Sequence, residues 1–494
     1  MLDMNRRILL IIVIQLILTG QVLSQKRIME ISLEQTVELA KNQSPDAQNA
    51  QHSFRSAYWN YRYYRANYLP TLSLSSNPNL DRAINKVTLS DGSVKFVEQN
   101  LLNTDLSFNL SQNISWTGGS LFLETSAQRM DIINDHLFSW QTSPVMLGYK
   151  QSLFGYNSLK WDRRIEPLRY KEAKKRYVET LELVAARATS KFFSLATAQS
   201  NYEIANFNYA NADTLYRYAQ GRYNIGTITE NEMLQLELNR LTEETNRMDA
   251  RIEMDNCMQE LCSYLGIKEE VEIRVNVSSK VPDFNVNLDE ALALAYENNP
   301  DIDAMSRRKL ESASAVAQAR ANAGLKADIY LRVGLTQTAD KLPEAYRHLL
   351  DQQHVSVNIS LPILDWGRGK GQVRVARSNR DLVYNQVEQD LTDFELNVRK
   401  LVKQFNLQIQ RVRIAARTDE TAQRRNEVAR RLYLLGKSSI LDLNASISEK
   451  DSARRNYVST LYNYWSLYYT LRSMTLFDFE HNIKLTEDYN LLIK

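Results

Sequence analysis

Two rhythms of apolar and polar residues run along this chain. The first has a period of two. Leu106, Phe108, Leu110, Ile114 and Trp116 alternate with Ser107, Asn109, Ser111, Asn113 and Ser115. Val355, Val357, Ile359 and Leu361 alternate with Ser356, Asn358 and Ser360, and Ile329, Leu331, Val333 and Leu335 follow the same rule. Successive side chains of a strand point to opposite faces, so these stretches predict sheet with one apolar face and one lined by small polar groups. Thr117-Gly118-Gly119 predicts a tight turn before the alternating Leu121-Phe122-Leu123-Glu124-Thr125, and the polar stretches 82–103, 131–143 and 336–353 read as longer loops. A soluble sheet with one wet face and a membrane barrel with an aqueous lumen share this pattern.

The second rhythm is helical. It predicts helices over 157–222 and 367–432, each roughly 100 Å of rod at the helical rise, and returning helices over 229–265 and 439–474. Leu234, Leu238, Leu241, Thr245, Met248 and Ile252 are spaced 4-3-4-3-4, and Leu391, Phe394, Val398, Leu401 and Phe405 are spaced 3-4-3-4. That is coiled-coil spacing.

Both rhythms occur twice. Leu33, Leu39, Ala40, Pro45 and Asp46 match Leu288, Leu294, Ala295, Pro300 and Asp301 at an offset of 255, whereas Gly226 matches Gly436 at an offset of 210. The chain is a tandem repeat, read as 25–283 and 284–494, and its first copy carries 45 more residues between about 74 and 150. Each copy opens with a predicted helix (33–68 and 288–323), passes through strands and ends in a long helical hairpin. The tips of these hairpins are alike. Tyr223 precedes Gly226 by three and Tyr433 precedes Gly436 by three, and Thr229 or Ser439 follows each glycine by three. The glycine suits a left-handed helix end, and the hydroxyl can cap the next helix in a box with Glu232 or Asp442.

Composition narrows the setting. With 494 residues and a formal charge of +3, the chain has no basic excess for nucleic acid, and only 15 glycines and 9 prolines interrupt it. Arg6 and Arg7 before the apolar run Ile8–Leu18, with Val22-Leu23-Ser24 ahead of Gln25, read as a signal peptide over 1–24. The mature chain has no apolar run long enough for a membrane helix, so any membrane entry would be through a closed barrel. Cys257 and Cys262 sit five apart on a predicted helix, a poor spacing for a disulfide, and read as small buried residues. Gly367-Arg368-Gly369-Lys370-Gly371 lacks the Lys-[Ser/Thr] ending of a phosphate loop and reads as a strand-to-helix bend. His136, His348 and His354, near Asp135 and Asp351, read as solvated loop residues rather than metal ligands. The tyrosines of 58–68 and 457–469 fit either an interface belt or a helical core. No nucleophile–base pair or metal spacing suggests an enzyme, and no cofactor is implied.

Together these features resemble the TolC family of outer-membrane efflux proteins over essentially the whole mature chain. The resemblance rests on the repeated opening segment, kept as Leu288-Asp289-Glu290-Ala291-Leu292-Ala293-Leu294-Ala295 with Asn299-Pro300. It rests also on Leu361-Pro362-Ile363-Leu364-Asp365-Trp366-Gly367 and on the two Tyr-x-x-Gly-x-x-[Ser/Thr] tips. It implies an α+β membrane protein, an outer-membrane β-barrel continued by a long periplasmic coiled-coil barrel. It implies a homotrimer that passively conducts substrates delivered by an inner-membrane transporter and a periplasmic adaptor. Tyr223, Gly226, Thr227, Gly436, Lys437 and Ser438 would be the adaptor-docking tips, and Glu232, Tyr433 and Asp442 the gate, with Ser438 standing where some members carry arginine. Family members usually contribute four strands per chain, and the longer first copy leaves six strands, or a hairpin standing clear of the barrel, as alternatives. A type I protein-secretion duct and a non-conducting periplasmic coiled coil are the rival readings, and the cargo stays open.

Overall fold

The computed structural model describes residues 27–493 apart from Leu89, Glu269, Glu270, Ser279, Gly436 and Ser439; the expected signal peptide lies outside them. In chain order the elements are β1 (Arg27–Ser32), α1 (Leu33–Gln43), α2 (Pro45–Ala66), β2 (Thr71–Ser76), β3 (Asn79–Thr88), β4 (Val94–Ile114), β5 (Gly119–Ile132) and β6 (Leu137–Ser152). Then follow α3 (Ser158–Asn224), α4 (Glu230–Leu265), β7 (Val271–Asn276), α5 (Leu288–Asn298), α6 (Pro300–Ala323), β8 (Lys326–Ala339) and β9 (Leu350–Ser360). The chain ends in α7 (Arg368–Leu434), α8 (Ile440–Thr475) and α9 (Tyr489–Ile493). Among the described residues no helix is long and apolar enough to cross a membrane.

The long helices start and stop within two residues of their expected ends. The opening helices differ: each is broken in two, at Ser44-Pro45 and at Asn299-Pro300. The residue before proline is driven out of the helical region, while proline itself suits a helix start. Ser44 and Asn299 accordingly adopt ψ of 150° and 133°. The Asn299 side chain accepts a 2.8 Å hydrogen bond from the Asp301 amide, and Ser44 accepts one of 3.1 Å from Ala47.

The chain divides into two compact units. One comprises His52–Tyr177, Tyr296–Asn397 and Glu487–Lys494 and holds a single antiparallel sheet in the order β2-β4-β5-β6-β8-β9. β3 also pairs with β4, along its first half, so β2 and β3 act as one long strand interrupted at Asn77-Pro78. The sheet is six strands wide, and the first copy's extra hairpin lies within it. Its register sets Leu72 beside Leu110, Leu110 beside Leu123, Leu123 beside Leu147 and Leu147 beside Val333. All five side chains are exposed, so the sheet carries an uncovered apolar band. On the other face Glu124 pairs with Arg332 at 3.4 Å, and the Phe122 ring, stacked on Tyr330, covers Gly148, where any Cβ would fall 2.1 Å from it.

Three of the expected loops are shorter than the sequence suggested. Residues 82–88, 94–103 and 137–143 are strand, and 336–339 and 350–353 extend β8 and β9. Their alternation is weak because apolar and polar residues are mixed on both faces there, as with Ile84, Phe96 and Val97 among Lys86, Lys95 and Glu98, yet the ladder continues. His354 lies in β9 against the Tyr330 ring, not in a loop; His136 and His348 occupy turns with positive φ. In the same unit Tyr61 stacks on Tyr170 with centroids 4.5 Å apart, and Phe54 packs against Tyr170, Tyr177 and Tyr489.

The second unit comprises the described residues up to Gln51, Val178–Ala295 and Val398–Thr486. A parallel pair, β1 with β7, begins it, and a capping box at Ser32 and Gln35 starts α1. Its core holds Phe192, Leu195, Leu261, Leu265, Ile273, Phe405, Leu461 and Tyr464, all fully buried. The Tyr464 hydroxyl donates to the Pro282 carbonyl at 2.8 Å, so the tyrosines here are core residues with satisfied tips. Glu182 is buried between Lys41 (2.5 Å) and Arg472 (2.7 Å), and Arg472 continues to Asp478 (2.8 Å).

The helices of this unit form a layer in the order α4-α3-α8-α7. Arg247 lies 4.1 Å from the Tyr209 ring and joins α4 to α3; Asn208 donates to Asp451 at 3.0 Å and joins α3 to α8. Gln408 donates to the Thr460 carbonyl and Asn426 to the Ser446 hydroxyl, both at 3.0 Å, joining α7 to α8. Of the expected α7 stripe, Val398, Leu401 and Phe405 are buried in this unit, Phe394 is buried in the other, and Leu391 is half-buried. The expected α4 seam is not a seam within the chain: Leu234, Leu238, Leu241, Met248 and Ile252 are all exposed. The α3 face towards α4 explains this. Tyr202, Tyr209 and Tyr216 meet Arg251, Arg247 and Arg240, and this set of contacts turns the leucine stripe of α4 outward.

Candidate functional site: the hairpin tips

At the first tip α3 ends in a Schellman motif. Gly226, at φ 73°, donates to the Tyr223 carbonyl at 2.8 Å, and the Thr227 amide donates to the Arg222 carbonyl at 2.9 Å. The Thr227 hydroxyl donates to the same carbonyl at 2.9 Å. Three residues on, Thr229 caps α4. Its hydroxyl accepts from the Glu232 amide at 3.3 Å, while the Glu232 carboxylate accepts from the Thr229 amide at 3.1 Å. Glu232 therefore does what a capping box requires, at an exposed helix start.

The second tip repeats the bond that closes the first. The Lys437 amide donates to the Leu432 carbonyl at 2.9 Å, matching Thr227 and Arg222 position for position. Ser438 donates to Asp442 at 3.4 Å. Gly436, Ser439 and the Tyr433 side chain lie outside the described residues, so the docking role expected of Gly436 and the latch expected of Tyr433 keep only their sequence support.

One feature of the tips was missed in the sequence. Ile225 is 74 % exposed, and its counterpart Leu435 is 69 % exposed, each just ahead of the turn glycine. The signal was there: an apolar residue in a two-helix turn, conserved between the copies at the offset of 210. Tyr223 is also exposed, and Lys437 carries the charge at the second tip. The tips thus offer exposed apolar side chains at their turns, a surface suited to docking.

Two other places could hold a charged ligand. Gly367-Arg368-Gly369 opens α7, at the strand-to-helix bend expected there. The Asp365 carboxylate already accepts from the Gly367 and Gly369 amides at 2.9 and 2.8 Å, and these bonds hold its pKa below the usual range. A phosphate would meet a carboxylate in its place. Asp478, Glu480 and His481 also converge, but Asp478 is saturated by Arg472, Tyr468, His481 and two backbone amides, and Arg472 stands where a cation would.

The family model described as outer membrane efflux protein matches residues 36–267 and 291–475. Among solved structures, the fold is similar to the CmeC outer membrane channel of Campylobacter jejuni, at TM-score 0.67 and 17 % identity over 93 % of this chain and 88 % of that one. It is similar to the outer membrane protein VceC of Vibrio cholerae, at TM-score 0.61 and 14 % identity over 90 % and 95 %. The open state of the Neisseria gonorrhoeae MtrE outer membrane channel follows, at TM-score 0.51 and 15 % identity over 90 % and 88 %. A comparison with curated protein sequences finds no match.

Proposed function

We propose, because the chain belongs to the outer membrane efflux protein family, that it works as one of three copies of a channel-tunnel gated at its hairpin tips. Membership makes it an efflux channel of the outer membrane that reaches into the periplasm. In our reading the strands of the three copies close one barrel and the helical hairpins close a second ring. The two repeats, 25–283 and 284–494, each supply one hairpin to that ring. A periplasmic adaptor docks on Tyr223, Gly226, Thr227, Gly436, Lys437 and Ser438 and links the channel to an inner-membrane transporter. Glu232, Tyr433 and Asp442 form the gate.

The observation that carries this reading is that both layers stop at two free edges. Among the described residues the sheet ends at β2 and β9, and the helical layer ends at α4 and α7. An open sheet edge is not tolerated in hydrocarbon, so further copies have to supply the missing partners. The helical edges are complementary. α4 carries nine acidic against three basic side chains, whereas α7 from Lys403 to its end carries eight basic against three acidic. α7 also bears its own exposed heptad stripe, Leu407, Ile414, Thr421, Val428, to face the leucine stripe of α4. A contact between different faces of identical copies closes into a ring when the rotation allows.

Single-channel conductance in planar bilayers tests the gate. The Glu232→Ala/Asp442→Ala double variant is expected to raise a small, cation-preferring conductance, because it removes a ring of carboxylates from the constriction. An unchanged conductance would return both residues to helix capping alone.

A further inference from the structure

The geometry points to an outer-membrane barrel of eighteen strands, half as wide again as a barrel built from one hairpin per repeat. The inference rests on the threefold reading above. It concerns what the first copy's extra hairpin does. The second repeat supplies one hairpin, β8–β9, so a barrel using one hairpin per repeat would take four strands from each chain and twelve from three. The additional pair in the first repeat could stand outside such a ring. The hydrogen-bond ladders place it inside.

β4 is paired on both sides, with β2 and β3 along one edge and with β5 from Leu101↔Ile132 to Ile114↔Gly119 along the other. β5 is in turn paired with β6 from Ser120↔Lys150 to Ile132↔Leu137. Lifting the hairpin out would break both outer ladders and re-pair β2 with β6. The apolar band also passes through every strand without a gap: Leu72 and Leu74, Phe108 and Leu110, Leu121 and Leu123, Val145 and Leu147, Leu331 and Val333, then Val355, Val357 and Ile359, all exposed. A hairpin held in water would have no need of that band. Each of β4, β5, β6, β8 and β9 has at least 11 residues, and a tilted strand needs about 9–11 to cross the hydrocarbon.

Direction completes the argument. Antiparallel neighbours alternate from β2 through β9, so β2 and β9 run in opposite senses. β9 of one copy can therefore pair antiparallel with β2 of the next, and a ring of three has no mismatched seam. Six strands cannot close alone, since about eight is the smallest membrane barrel. With a strand spacing of about 4.8 Å and a tilt of about 40°, eighteen strands give a backbone diameter of about 36 Å, against about 24 Å for twelve. Eighteen is the strand number of barrels with an aqueous channel. The barrel would therefore pass bulky hydrated solutes, leaving the helical end to restrict passage.

Electron cryomicroscopy of the full chain in lipid nanodiscs counts the strands. A threefold particle with eighteen strands in the ring is expected. A threefold particle with twelve, and the β4–β5 hairpin outside, would overturn the inference and leave the trimer standing. Any other symmetry would overturn the threefold reading and the count with it. In planar bilayers, polyethylene glycols added on the side of the 90–93, 133–136 and 340–349 turns probe the barrel mouth. The largest polymer that enters the full chain is expected to be about 1.5-fold wider than for a variant lacking 94–132, following the ratio of diameters. Equal cut-offs would also overturn it.

Discussion

At the scale of single residues, the first hairpin tip is held by local hydrogen bonds that substitution can remove one at a time. Thr229→Ala takes away the cap of α4 and is expected to cost about 1 kcal/mol of local stability, read as faster amide exchange over 230–234. Glu232→Gln keeps an acceptor for the Thr229 amide, so it should leave that exchange nearly unchanged while still altering conductance if the carboxylate charge gates. Cys257 offers a different reading of its surroundings. Burial, then the neighbouring Glu253 carboxylate 3.6 Å away, pushes its thiol up to about 11. Only the thiolate reacts, so maleimide labelling at pH 8 should run roughly a hundredfold slower than for an exposed thiol. Glu253→Gln should speed it. Residue identity was legible in the sequence wherever chemistry is local, as at Gly226, Thr229 and Glu232. It was not legible where a partner comes from far along the chain, as with Glu182, whose Lys41 and Arg472 lie 141 and 290 positions away.

At the scale of elements, the helical hairpins could be read from the sequence almost to their ends, because glycine turns and capping boxes are written in consecutive residues. The proline breaks at 44–45 and 299–300 were also written there, twice, and a continuous apolar rhythm hid them. The α4 stripe shows the limit of periodicity. Spacing identifies an apolar face but not what covers it, and Arg–Tyr contacts with α3 turned this one away from its own chain. Its expected partner is α7 of a second copy. Met248→Lys and Ile414→Lys, each placing an ammonium in that seam, should weaken assembly roughly tenfold or more per site, measured as the trimer fraction by native mass spectrometry. The ion-pair knot of α1, α3 and α8 gives a pH prediction. Burial raises the Asp478 carboxyl, but Arg472, His481 and Tyr468 outweigh it and hold its pKa below the ordinary value. A depressed carboxylate stabilises the fold above its unfolded pKa of about 3.9, and that contribution is lost as pH falls through the lower folded value. Thermal stability should therefore hold from pH 8 to 5 and fall below about pH 4, with a shallower fall in Asp478→Asn.

At the scale of the whole molecule, the strands were legible where lipid demands a clean alternation and illegible beyond it, where β3 and the first half of β4 mix apolar and polar residues on both faces. Strand number could be read only as two alternatives, six strands or a hairpin standing clear of the barrel, since it depends on which strand pairs with which. The repeat was plain from the offsets, yet its two halves are unequal in one layer and equal in the other: four strands against two, one helical hairpin against one. Three such chains would carry threefold symmetry in the membrane and nearly sixfold symmetry at the tips. The six tips would alternate in kind, with Thr227-Ile228 uncharged and Lys437-Ser438 cationic. A docking protein that covers all six would have to read two surfaces with one sequence, or else supply two copies of itself in inequivalent poses for every chain. In that reading the stoichiometry of the assembly would follow from the charges by which the two tips differ, Arg222 against Leu432 and Thr227 against Lys437 among them.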